Sequence, residues 1–217
     1  MSDANIKLTA SNLAALLCAR VCHDLVGPVG ALENGLYLLT DEDSADMHDD
    51  ALDLIKIGTE QASAKLKFLR IAFGAGGSAP AVIASAELES LSRGVYPDGK
   101  IVLDWQVAVD GLDKPAARTV LNLVMLAVAT IPIGGTVVVE ATQTSEVANI
   151  SLKCTGPKAR LEDVVTITLA GKAPEDGFDG RSIQPFYTGL IVRETGGSIK
   201  AEINGETVTF SATLPVQ

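Results

Sequence analysis

The chain has 217 residues, 47 % of them hydrophobic and 20 % charged. That is enough for one domain or two modest ones with a buried core, needing no metal or disulfide staple, and it excludes intrinsic disorder. Seventeen basic residues against 27 acidic leave a net charge of −10, and only nine residues are aromatic (one Trp, three Tyr, five Phe). A chain this acidic lacks the footprint of a nucleic-acid binder, would be repelled by anionic membranes, and has few rings for base stacking.

Cys18, Cys22 and Cys154 make no disulfide framework, since the first two sit four apart in a helical pattern where a bridge would be strained. The N-terminus carries no basic and apolar leader, and the longest apolar stretches, broken by Arg20, His23 and Asp24, fall short of a membrane span. The expectation is a soluble, reduced, cytoplasmic protein.

From Thr9 to Phe73 the periodicity is helical. Cys18, Val21, Leu25, Leu32 and Leu39 form one stripe; Thr40 to Ser44 interrupts it, with Ser44 as a candidate cap. A second helix runs to Phe73 on Met47, Leu54, Ile55, Ala62, Leu66 and Leu69, which makes an antiparallel hairpin. Leu13, Leu17, Leu36 and Ile57 remain unused and ask for a further partner, most simply a second copy completing a four-helix bundle. Gly74 to Pro80 is a linker. It divides a helical domain, residues 1–74, from an α/β sandwich, residues 81–217, giving an α+β chain.

In the second part, Ala81 to Arg93 reads as a helix, Lys100 to Val109 as a strand, and Lys114 to Ile131 as an apolar helix opened by Pro115. Strands follow at Thr136–Thr142 and Val147–Cys154, then a short helix near Leu161 and a strand at Val164–Leu169. Arg181 to Thr195 reads as a helix, and Ser198–Ile203 with Thr207–Leu214 as a hairpin around Asn204-Gly205. A largely antiparallel sheet with helices fits this order.

His23 is the informative residue. At about 100° per residue it lies roughly 200° from both Val21 and Leu25, off the apolar stripe and on the face of Ala19, Gly27 and Gly30. Two glycines and Pro28 inside a helix break local rules, as functional sites do, and small residues leave room for a partner to approach the imidazole. A lone helical histidine is more often an ordinary surface residue. His48, among Met47, Asp49 and Asp50, reads as such, and Cys18, Cys22 and His23 do not share a face for a metal.

The run His23-Asp24-Leu25-Val26-Gly27-Pro28 resembles the phosphoacceptor box of the dimerisation and histidine-phosphotransfer domain of two-component histidine kinases. The resemblance implies that Asp24 orients the imidazole and that Pro28 bends the helix. The chemistry suits the residues, because a neutral imidazole can attack phosphorus while a carboxylate fixes its tautomer. Where many such kinases carry Thr or Asn four residues after the histidine, this chain has Gly27, which removes the group that supports phosphatase activity.

Residues 81–217 resemble, in outline, the ATP-binding domain of the same kinases. Asn122 stands at the first asparagine of the Asn-rich helix, Leu126 at the second, which would hold magnesium. Cys154 stands for the adenine-reading aspartate and Lys158 for a phosphate-loop glycine. Thr188-Gly189 is kept, but Gln184-Pro185-Phe186-Tyr187 replaces the glycine-rich lid. Losing metal ligand, base partner and phosphate cradle together implies a retained fold without useful ATP affinity.

A phosphoacceptor beside a kinase-like domain without its ligands is similar to the alphaproteobacterial histidine phosphotransferases. That resemblance implies a dimer that takes phosphoryl groups from the receiver domain of a hybrid histidine kinase and passes them to response regulators of the cell cycle. It implies His23 and Asp24 as the reacting pair, with the receiver docking over Ala19, Arg20, Gly27 and Gly30. No cofactor is implied for this chain, and magnesium belongs to the receiver. The alternatives are an atypical histidine kinase and a non-catalytic adaptor that inhibits one.

Overall fold

The computed structural model describes residues 8–41, 46–74 and 81–216. Ser44 and the linker from residue 75 onward lie outside them. Helix α1 (Ala10–Thr40) begins at Thr9, whose hydroxyl accepts from the Asn12 amide at 3.2 Å, and it runs through Pro28. Helix α2 (His48–Ala72) returns antiparallel to it, and exposed His48 opens its first turn.

Two glycines set how closely the pair can approach. A Cβ on Gly58 would lie 2.8 Å from the Pro28 carbonyl, and one on Gly35 would lie 2.7 Å from Ile55 and 2.8 Å from the Ala51 carbonyl. Both glycines are buried in the seam. Leu36, Leu52, Ile57 and Leu66 stay about half exposed on the outside. By length and composition α1 is apolar enough to cross a membrane, which corrects the expectation that its apolar run is too short. It packs along α2, however, and its Arg20–Asp24 ion pair faces the second half of the chain.

The second half starts with a short strand, β1 (Val82–Ala84), before α3 (Ser85–Val95); a single helix from Ala81 is therefore corrected. β1 pairs antiparallel with β3 (Gly111–Asp113). The main sheet is ordered β2-β4-β5-β7-β6, from β2 (Ile101–Val107), β4 (Gly135–Gln143), β5 (Val147–Thr155), β6 (Ser198–Asn204) and β7 (Thr207–Pro215). β2 and β4 are parallel and the other pairs antiparallel. The last hairpin closes on Gly205-Glu206, with Gly205 at φ 59°, the first loop position of a tight turn.

Val137, Val139, Ile150, Leu152, Cys154, Val208, Phe210 and Leu214 alternate along the strands and are buried on one face. Against them lies α4 (Lys114–Thr130), capped by the Asp113 carboxylate accepting from the Ala116 amide, with most of its residues buried. The core also takes Phe68, Leu69 and Ala72 from the end of α2. The helical hairpin and the sandwich thus share apolar packing.

Val164–Leu169 is not a strand. It forms α5 (Asp163–Leu169), although five of its seven residues are β-branched. Thr166 donates to the Asp163 carbonyl and Thr168 to that of Val164, at 2.8 and 2.6 Å, so hydroxyls that usually compete with a helix here close its turns. Helix α6 (Ile183–Glu194) packs on it at Gly189, where a Cβ would sit 2.1 Å from the Leu169 carbonyl. Tertiary packing overrides the strand propensity.

Candidate functional site

His23 projects from the middle of α1 with its side chain 81 % exposed, whereas that of Asp24 is 18 % exposed. The imidazole Nδ1 lies 3.3 Å from Asp24 Oδ1, which leaves Nε2 directed to solvent. Ala19 and Gly27 are exposed and Gly30 half-buried; a Cβ built on either glycine would meet nothing within 4 Å. The structure therefore brings the small residues and the open imidazole onto one unobstructed surface. Cys18 and Cys22 are exposed nearby, and among the described residues no group of three or more His, Cys, Asp or Glu could hold a metal.

Asp24 is held from two sides. Arg20, one turn earlier, donates Nε to its Oδ2 at 3.1 Å, and Lys65 of α2 donates Nζ to its backbone carbonyl at 2.8 Å. The second bond follows from Pro28. A helical Asp24 carbonyl would accept from the amide of residue 28, and proline has none, so the freed acceptor takes the lysine. Arg20 also reaches the Gly180 carbonyl ahead of α6, at 3.3 Å. Beneath Asp24 a cleft of about 250 Å³ opens between α1, α2 and α3, lined by Lys65, Phe68 and Tyr96. Burial pushes the Tyr96 phenol up to about 12; the Asp24 carboxylate adds to the rise and Arg20 opposes it.

The positions that resemble a nucleotide site are filled from within. Asn122 is fully buried, donating to the carbonyls of Ala72 and Arg118 at 2.8 and 2.9 Å. Gln184 on α6, itself buried, donates to the Asn122 side-chain and main-chain oxygens at 3.2 and 3.0 Å. Leu126 lies in the core, and Cys154 is enclosed between Val137 and Val208, its thiol pushed up to about 12 by burial. Lys158 keeps φ at +56°, the left-handed turn of a glycine without the glycine. These residues do not fit a magnesium nucleotide: the Asn122 side-chain oxygen is buried and already accepts from Gln184, and Leu126 and Cys154 carry no side-chain oxygen to ligate the metal.

Tyr187 extends the same packing. Its hydroxyl donates to the Phe73 carbonyl at 3.1 Å and accepts from Arg118. With Asn122 on the Ala72 carbonyl, two terminal carbonyls of α2 are thus capped by side chains of the second half.

Sequence reasoning singled out His23, Asp24 and the small residues, but missed Lys65, Tyr96 and the Gly180 carbonyl. A signal for Lys65 existed, since Pro28 announces an orphan acceptor four residues earlier. Which lysine answers it depends on the packing of α2.

A family model described as the histidine phosphotransferase C-terminal domain matches residues 85–207. The chain belongs to the histidine phosphotransferase family. Protein phosphotransferase ChpT of Brucella abortus (strain 2308) is 36 % identical over 207 residues, which span 95 % of this chain and 98 % of that protein. A solved bacterial phosphotransferase superposes with a TM-score of 0.84 at 33 % identity, covering 96 % of this chain and 98 % of that one. The resemblance to histidine phosphotransferases is borne out, and with it the α+β fold. As a histidine phosphotransferase the protein works in a phosphorelay, between kinases and response regulators.

Proposed function

We propose that His23 is the residue that carries the phosphoryl group. The carrying observation is its geometry: an exposed imidazole whose Nδ1 faces a carboxylate and whose Nε2 faces open solvent beside Ala19, Gly27 and Gly30. With Nδ1 protonated and held by Asp24, the lone pair sits on Nε2. That nitrogen attacks the aspartyl phosphate of a hybrid kinase's receiver in line. A bond forms from Nε2 to phosphorus, the acyl oxygen–phosphorus bond breaks, and the electron pair leaves on the receiver carboxylate. The ring is then cationic, and Asp24 stabilises it until a second receiver's aspartate takes the phosphoryl group by the reverse step. Magnesium is supplied by the receiver, so this chain needs only to position its imidazole.

The buried Asn122, Leu126 and Cys154 support a second part of this reading: the chain does not draw on ATP. The half-exposed Leu36, Leu52, Ile57 and Leu66 support a third, a cytoplasmic homodimer in which two hairpins form a four-helix bundle. Reconstitution tests all three. A labelled receiver phosphate transfers to the wild-type chain and onward to a second receiver, while His23→Ala takes up none. Mg-ATP alone labels nothing, and sedimentation gives twice the chain mass. Labelling of His23→Ala would overturn the acceptor assignment, and self-labelling from ATP would make the protein a kinase.

A further inference from the structure

A continuous polar chain leads from the second half of the molecule to the imidazole. It starts in the turn before α6. Asp179 Oδ1 accepts from the amides of Arg181 and Ser182 at 3.0 and 2.8 Å and from the Ser182 hydroxyl at 2.7 Å; Ser182 Oγ accepts in return from the Asp179 amide at 2.8 Å. The Ser182 donors hold the Asp179 carboxyl below the usual carboxylate range. The turn is anchored on both flanks: Phe178 meets Phe186 of α6 edge-on at 4.7 Å and lines a groove with Asn12, Ala15 and Leu16 of α1. Between these anchors the Gly180 carbonyl is presented to Arg20 Nη1.

Arg20 uses separate nitrogens for its two partners, Nη1 for Gly180 and Nε for Asp24 Oδ2. Asp24 divides its oxygens in the same way, Oδ2 to Arg20 and Oδ1 to His23 Nδ1. A carboxylate on a helix surface would otherwise rotate among rotamers, and only one of them faces the ring. The planar, forked guanidinium can fix that rotamer and hold the domain turn together, which the single point of a lysine ammonium cannot. Its side chain is 28 % exposed, with two of its nitrogens already committed.

We propose that Arg20 is a positioning residue, through which the turn at 179–182 orients Asp24 and thereby fixes the Nδ1–H tautomer of His23. The sandwich domain then acts on the reaction without a ligand of its own. This rests on His23 as the phosphoacceptor, but its test reads the unphosphorylated chain and so fails separately from that reading.

The full chain is labelled with 15N-histidine, which marks only His23 and His48, and the ring nitrogens are observed at alkaline pH where imidazole is neutral. The wild type shows His23 as the Nδ1–H tautomer. Arg20→Ala moves it toward the mixture of free imidazole and slows receiver-to-histidine transfer on the order of tenfold. Arg20→Lys, which keeps charge and fold, restores neither. Asp179→Ala, remote from the ring, moves the tautomer in the same direction by less. Wild-type nitrogen signals and rate in Arg20→Ala would overturn the proposal. A slower rate with an unmoved tautomer would make Arg20 a docking contact instead. Unmoved signals in Asp179→Ala alone would remove the domain turn from the chain.

Discussion

His23 and Asn122 are both polar side chains in the middle of helices, and their surroundings send them to opposite ends. His23 touches one carboxylate and otherwise meets solvent, so its second nitrogen is free to react. Asn122 has no exposed surface, and its amide is spent on Ala72, Arg118 and Gln184. A group kept for chemistry must be held loosely on one side and left open on the other. A group used for architecture is satisfied completely, and the Asn122 side chain is a bolt between α2, α4 and α6.

Substitution separates the two regions. His23→Ala removes transfer, a loss of at least about a thousandfold in labelling rate, while thermal unfolding shifts by no more than about 0.5 kcal/mol because the site is exposed. Asn122→Ala does the reverse. It strands the Ala72 carbonyl and takes one of the Gln184 amide's partners, costs about 1–3 kcal/mol in urea unfolding, and leaves phosphoryl transfer measurable. An Asn122→Ala chain that melts like the wild type would break the contrast.

The seam between α1 and α2 tests the helical half in the same terms. Gly58→Ala pushes a methyl against the Pro28 carbonyl and costs about 1–3 kcal/mol, read as a lower urea midpoint. Gly27→Ala, one residue from Pro28 but facing open space, leaves the midpoint nearly unchanged.

Alkali probes the sandwich core. Because burial pushes the Cys154 thiol up from 9.0 to about 12, the unfolded chain gives up a proton in that window which the folded chain keeps. Stability therefore falls as pH rises from about 9 toward 12, by up to ~1.4 kcal/mol per pH unit for one proton. Cys154→Ala flattens that slope by one proton's share, seen in the pH dependence of urea unfolding. A modest gain is expected at Lys158, where Lys158→Gly relieves the positive φ and raises stability by up to about 1 kcal/mol, read as a higher urea midpoint.

Much of this was legible in the residues. Helical spacing located α1, α2, α4 and α6, and alternation located the five strands of the main sheet. His23 stood out because the positions a turn or two away, Ala19, Gly27 and Gly30, left its face bare. Failures fell where local preference lost to packing. The β-branched run of α5 coils because its hydroxyls close the helix and α6 covers it. The strand pair of β1 and β3 was too short to carry a period.

The chain order of residues by itself determined which side of α1 is apolar, that Pro28 leaves a carbonyl of that helix without its amide, and that position 126 is a leucine and position 154 a cysteine, neither with a side-chain oxygen to offer. Each of these depends only on identity and spacing along one element. Tertiary structure alone decided what answers the distant groups: Lys65 for the Asp24 carbonyl, Asn122 and Tyr187 for the end of α2, and the Gly180 carbonyl for Arg20. A hydrogen bond works only over about 3 Å. Partners 41 to 160 residues apart reach that distance only once the core has packed.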